Sequence, residues 1–329
     1  MKYFILAFYF LSSNQADYDG KNLVFSGQFQ VEHPMGVLKA EKATLKDLQL
    51  HGATNKGTEI FLEEGVSIEA TRGKTPFTLH SQRAVCALPP NTLFSLFQLQ
   101  ELQFYDDVEI LTFHDIRATG GSAFYKAGSL TIHPAFPSCH CHLHRGQDQI
   151  DAHEIRFDLF KEELLCINAR GALAPRAEQL PLHFSAQTLL WQKKKEKLHL
   201  QKDVFIEQSG QFSLYADDAL LTFQDETKPD FFLLEGNVRL FSPRIQDKES
   251  FSIADRISFD PREQKLILSS VPPKRVLFWQ EGFSLSAPEV HIKRDLLTRK
   301  ETIEGKGDVH FAFDMEEKNI IEQLLSKYL

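Results

Sequence analysis

The stretch FSLYADDALL, residues 212 to 221, recurs as FSLSAPEVHI at 283 to 292 and as FTLHSQRAVC at 77 to 86. Within it Phe212, Leu214 and Ala216 share one parity, and Ala219 and Leu221 share the other. Alternation is the mark of a strand, because successive side chains leave opposite faces. The parity change after Ala216 predicts a bulge or bend that re-aims the second half, so that both halves face one interior. The same pattern gives Phe77, Leu79 and Ser81 before Ala84 and Cys86, and Phe283, Leu285 and Ala287 before Val290 and Ile292.

Looser copies follow the same rule. Leu182, Phe184 and Ala186 precede Leu189 and Trp191; Ile150 and Ala152 precede Ile155 and Phe157; Leu38 and Ala40 precede Ala43 and Leu45. FSIADRISF at 251 to 259 reads as a copy shortened by one residue, and FYKAGSLTI at 124 to 132 as the weakest copy. With the small residue as marker, positions 40, 81, 127, 152, 186, 216, 254 and 287 repeat about every 35 residues. Charged turns follow in WQKKKEKLHL, FDLFKEELLCI and FDPREQKLIL, and short strands follow a Gly or Asp in EGVSI, KDVFI, EGNVRL and GDVHF. One repeat is therefore expected to hold about three short antiparallel strands. Stacked repeats predict an elongated all-β array with two sheets facing each other across a Phe-rich interior.

Composition bounds the alternatives. The 329 residues are 42% hydrophobic and include 28 Phe, which argues against disorder. A net charge of -8 argues against nucleic acid as a partner. The start MKYFILAFYFLSSNQA has the layout of a secretory signal over residues 1–16, and export is expected. At the other end MEEKNIIEQLLSKYL, within 314–329, sets Ile320, Ile321, Leu324, Leu325 and Tyr328 on one face of an amphipathic helix. Four cysteines are too few for a disulfide-built scaffold.

Chemistry-bearing motifs are sparse. In CHCHLH, His140, His142 and His144 would share one strand face and are a weak candidate for a metal site, with a polar outer face as the plainer reading. KKKEK at 193 to 197 falls in a turn and reads as solvated. The pairs Asp106-Asp107 and Asp217-Asp218 would send their carboxylates to opposite faces, which suits no glycosidase. No phosphate loop, nucleophile elbow or paired-His helix is present, so no catalytic residue and no cofactor is assigned. The inward set chosen from alternation is Phe77, Leu79, Phe184, Leu189, Phe212, Leu214, Phe283 and Leu285.

YDGKNLVFSGQFQVEHPMGVLKAEKATL, residues 18 to 45, resembles the opening of the OstA/LptA-like family of lipopolysaccharide transport proteins, and FFLLEGNVRLFSP with SIADRISFD is similar to the same phrase. The resemblance implies a β-jellyroll like a folded taco over residues 17–313. It also implies a periplasmic protein that binds lipid A acyl chains between its sheets, hands them toward the outer membrane and has no enzymatic activity. Its partners would be other transport components or further copies, joined end to end through edge strands. The competing expectation is a structural β-solenoid or adhesion scaffold with a sealed interior and no lipid ligand.

Overall fold

The computed structural model describes residues 10–33, 36–46, 58–72, 75–88, 101–112, 115–173, 181–225, 228–245, 248–280, 282–295 and 300–312. Its packing divides the chain into two units, Met1–Ile167 and Asn168–Leu329, with the boundary inside one strand. The antiparallel all-β class expected from the sequence holds, and each unit is a folded β-jellyroll. Among the described residues no α-helix occurs, and a 3-10 turn lies at Lys193–Lys195.

The first unit contains β1 (Phe10–Ser12), β2 (Gln15–Tyr18), β3 (Leu23–His33), β4 (Gly36–Lys46), β5 (Thr58–Arg72), β6 (Thr75–Leu88), β7 (Glu101–Thr112) and β8 (Ile116–Lys126). It continues through β9 (Ser129–His133), β10 (Cys141–Arg145), β11 (Asp148–Ala152), β12 (Glu154–Asp158) and the start of β13 (Glu163–Leu173). From β3 to β8 each long strand pairs antiparallel with the next. Every ladder slips at one level: Glu63 pairs with Arg83 but Val66 with Ser81, and Tyr105 with Ser122 but Val108 with Gly120.

At that level the strands fold, by two different devices. β4 and β6 invert parity, so that Leu38 and Ala40 are buried before the corner and Ala43 and Leu45 after it, as are Leu79 and Ser81, then Ala84 and Cys86. The returning strands carry the extra residue of a bulge, with two successive left-handed residues at Gly27–Gln28, Glu64–Gly65 and Asp106–Asp107. Both devices turn the apolar side of each half toward a shared interior, and the strand halves form two walls. The inner corner holds Ala or Ser because the walls converge there.

At β8 the walls part. Arg117 to Thr119 pair with β10, whereas Ser122 to Lys126 pair with β9. The chain crosses from β9 to β10 outside the corner, close against Gly120 and Gly121: a Cβ on the first would collide with Ile132 and on the second with the Ala135 backbone. β11 then returns along β10, and the chain turns the corner after Ala152 so that β12 pairs with β9 and β13.

The second unit repeats this plan. It comprises the remainder of β13, then β14 (Leu182–Gln192), β15 (Lys197–Gln208), β16 (Phe212–Asp225), β17 (Lys228–Ile245) and β18 (Lys248–Asp260). These are followed by β19 (Lys265–Ser269), β20 (Val276–Gln280), β21 (Phe283–Ala287), β22 (Glu289–Arg294), β23 (Glu301–Lys306) and β24 (His310–Ala312). Left-handed pairs recur at Lys202–Asp203 and Gly236–Asn237. β18 parts its walls as β8 does, pairing with β20 before the corner and β19 after it. Here the crossover is tied down: Asp255 accepts the Val271 N–H at 2.9 Å and Lys274 Nζ at 2.7 Å. The hydrogen bond from Lys274 is the main cause that holds the Asp255 carboxyl below its ordinary range. Phe77 thus corresponds to Phe212, Leu79 to Leu214, Ala84 to Ala219, and Ala152 to Ala287.

Four sequence expectations change. The repeat is a hairpin of two long folded strands, since EGVSI, KDVFI and EGNVRL are parts of β5, β15 and β17. Ala127 is no corner marker: it and Gly128 are the left-handed turn between β8 and β9, and the corner of β8 lies at Gly120 and Gly121. FSIADRISF is not a shortened copy; its inward residues are Ser252 and Ala254, then Ile257. Asp106 and Asp107 sit in a bulge, so strand alternation does not govern their side chains. The charged turns are as expected, closed by left-handed Glu162, Glu196 and Gln264. In two of them Asp158 and Asp260 accept the backbone N–H groups that follow. The signal-peptide expectation falls partly outside the described residues, though Phe10–Ser12 and Gln15–Tyr18 pair with β3; the C-terminal helix lies outside them altogether.

Two glycines separate the corner's backbone demand from its space demand. Gly65 and Gly236 have φ of 73° and 76°, but a Cβ meets nothing near Gly65 and collides with the Asp217 carboxylate at Gly236. Gly65→Ala should cost about 1–2 kcal/mol for the left-handed backbone alone, and Gly236→Ala measurably more in urea unfolding. Equal costs would contradict the packed corner.

Candidate functional site

The interior between the two walls of each unit is the candidate site. In the first unit Phe77 on β6 and Tyr125 on β8 come from opposite walls, and their ring centroids stand 6.2 Å apart at the mouth. In the second unit Leu285 on β21 faces Gly305 on β23, where a Cβ would come within 3.2 Å of Leu285 Cδ1. Of the residues chosen from sequence, Phe77, Leu79, Phe184, Leu189, Leu214 and Leu285 are buried on the inward face. Phe212 and Phe283 lie inward at the mouth and are half-buried. The outward neighbour Tyr215 is 38% exposed and rests on Phe205, with ring centroids 4.8 Å apart.

The inward set chosen from sequence omitted the returning strands. Phe29, Phe104, Ile110, Leu200 and Ile206 are buried wall residues on β3, β7 and β15. Their sequence signal is alternation on either side of a four-residue step, Phe104 to Val108 or Leu200 to Val204, with the left-handed pair Asp106–Asp107 or Lys202–Asp203 inside the step.

The two interiors differ in chemistry. In the second unit Ser242, Ser250 and Gln280 lie on one rung across β17, β18 and β20, all buried, with Ser252 on the next. Ser242 Oγ donates to the Gln211 carbonyl at 2.8 Å. On the other wall Glu301 is half-buried, and burial raises its carboxyl above the ordinary range despite Arg294 and a hydrogen bond from Gln280. In the first unit the inward polar residues are Ser81, whose hydroxyl donates to the Arg83 carbonyl at 3.0 Å, and Thr112.

The histidine motif is not gathered into a metal centre. Among the described residues no group of three or more His, Cys, Asp or Glu is close enough to hold an ion. His142 and His144 lie outward on β10 as parity predicts, and His142 Nδ1 is 2.7 Å from Asp151 Oδ1. His140 and Cys139 precede the strand, so Cys139 does not share the face of Cys141; with Asp107 and Phe136 they line a surface groove of about 780 Å³ at the crossover. The acidic pairs are engaged one residue at a time. Asp106 accepts Arg83 Nε at 2.5 Å, Asp217 accepts Asn237 Nδ2 at 2.9 Å, and Asp218 lies 3.5 Å from His199. Lys193 to Lys195 form the 3-10 turn.

No protein family's model matches the chain, and no curated protein matches it. Among solved structures, a crystal structure of LptH, the LptA-homologous periplasmic component of the conserved lipopolysaccharide transport device from Pseudomonas aeruginosa, is similar over 41% of this chain and 96% of its own. The sequence identity is 13% and the TM-score 0.34.

Thiol chemistry follows burial. Burial pushes Cys86, Cys141 and Cys166 up to about 12, with Glu154 adding to the effect at Cys141 and Cys141 adding to it at Cys166, whereas Cys139 is exposed. At pH 8 the native protein should therefore react rapidly with a thiol reagent at Cys139 alone, and all four cysteines should react in denaturant. Rapid uptake of more than one equivalent by the native chain would show that the walls open readily.

Proposed function

We propose that this chain is a periplasmic lipopolysaccharide-binding transport protein that holds acyl chains between its two walls and passes them toward the outer membrane. The observation that carries this reading is the mouth of the second unit. Phe212, Phe232, Phe259 and Phe283 point inward there yet remain half-exposed, so an apolar lining continues to an edge that solvent reaches. An acyl chain laid along it gains roughly 0.8 kcal/mol per buried methylene. Transfer then needs only a neighbouring apolar interior, with no bond made or broken. Export and exposed strand edges complete the proposal: a partner's strand would pair at an edge, as short strands β1 and β2 pair with β3, where β2 keeps every side chain exposed.

A sealed scaffold is favoured by one observation, the Phe77 and Tyr125 rings that meet across the mouth of the first unit. Photocrosslinking in intact cells separates the two. A probe at Leu214 or Leu285 should yield a lipopolysaccharide adduct, and one at outward Tyr215 or Leu277 should not. Absence of adducts from all four, in protein that is folded and exported, would establish the scaffold. By the same face assignment, Leu214→Asp should abolish transport and cost about 3 kcal/mol or more of stability, as expected for an unpaired buried charge. Tyr215→Asp should be tolerated; equal sensitivity at the two positions would contradict it.

A further inference from the structure

Among the described residues one buried side-chain polar atom has no hydrogen-bond partner, Oγ1 of Thr112. Thr112 is 6% exposed and ends β7 with the inward parity of Val108 and Ile110. Its rung at the mouth of the first unit holds Ile116 on β8. The register that sets Leu79 beside Ile110 carries Phe77 to its other side, and Tyr125 meets Phe77 from the opposite wall. Other buried hydroxyls of the inward faces are satisfied within the fold, Ser81 by the Arg83 carbonyl and Ser242 by that of Gln211. An unpaired hydroxyl in such a place is a liability that valine, of the same shape and greater strand preference, would remove.

We propose that Thr112 Oγ1 is the polar anchor of the first unit's interior, receiving an oxygen carried by an acyl chain, either its head carbonyl or a hydroxyl on the chain. This rests on the lipid-binding reading above. The hydroxyl stands at the mouth, with apolar rungs between it and the corner. It therefore holds the oxygen-bearing end of the chain at the mouth and leaves the tail to the hydrocarbon lining.

The test compares the full chain with its Thr112→Val and Thr112→Ser variants. The probes are three fourteen-carbon amphiphiles: tetradecanoic acid, 3-hydroxytetradecanoic acid and tetradecyltrimethylammonium, which carries no oxygen. Thr112→Val should weaken binding of the oxygen-bearing probes about 2- to 10-fold, the range of one hydrogen bond, and leave the ammonium probe unchanged. Thr112→Ser should bind as the unaltered chain does. Loss confined to the hydroxy acid assigns the contact to a chain hydroxyl, and loss for both acids assigns it to the head carbonyl. Without ligand, Thr112→Val should unfold at the same temperature or higher; a lower value would reveal an internal partner and overturn the proposal. Unchanged affinity for both acids in Thr112→Val would overturn the anchor and leave the lipid reading standing. Failure of the unaltered chain to bind any of the three would overturn both.

Discussion

Everything in this fold depends on reconciling a strand's strict two-residue period with a corner. A strand that passed straight from one wall to the other would bury its apolar residues in the first half and, once folded over, present the wrong side in the second. The chain meets the constraint twice over. Strands such as β6 and β16 change parity at a small residue, and strands such as β5 and β17 take up an extra residue in a left-handed pair. Because neighbouring strands must slip at one level to stay hydrogen-bonded, the two devices alternate and the corner becomes a continuous line. The small residues, the glycines at Gly65 and Gly236 and the bulges are three aspects of this single requirement.

How much of this was legible follows from which device a strand uses. Parity inversion leaves its trace in the apolar residues themselves, so β6, β14, β16 and the pair β21 and β22 were readable from Phe77, Phe184, Phe212 and Phe283 onward. A left-handed pair leaves only two polar or glycine residues in the middle of a strand, which look like a turn; β5, β15 and β17 were accordingly broken into short strands. β18 misled for a different reason. Its inward positions carry Ser250 and Ser252, while the conspicuous Phe251, itself buried, has the opposite parity, and composition outweighed spacing. The set of interior residues was legible from alternation, but the mouth was not, because its position depends on the register of strands far apart in sequence.

The two units follow one plan with different linings. The first is almost wholly hydrocarbon, with its rings in contact across the mouth, and the second sets serines and Gln280 into one wall and leaves four phenylalanines half-exposed at the edge. The crossovers differ as well. Asp255 fastens the second to its corner through Val271 and Lys274, whereas the first lies close over two glycines and borders an open groove. The two units thus share a backbone plan and differ in the side chains that line it.

The matched slips have one more consequence. Since each long hairpin presents the same stagger on both of its flanks, a hairpin can be added to or removed from a unit without disturbing the pairing of the others. Each such step would lengthen the interior by two strand spacings, roughly 10 Å. The capacity of a unit is thus a quantity that inheritance can adjust in whole increments, by duplication of a gene segment, with no redesign of the corner.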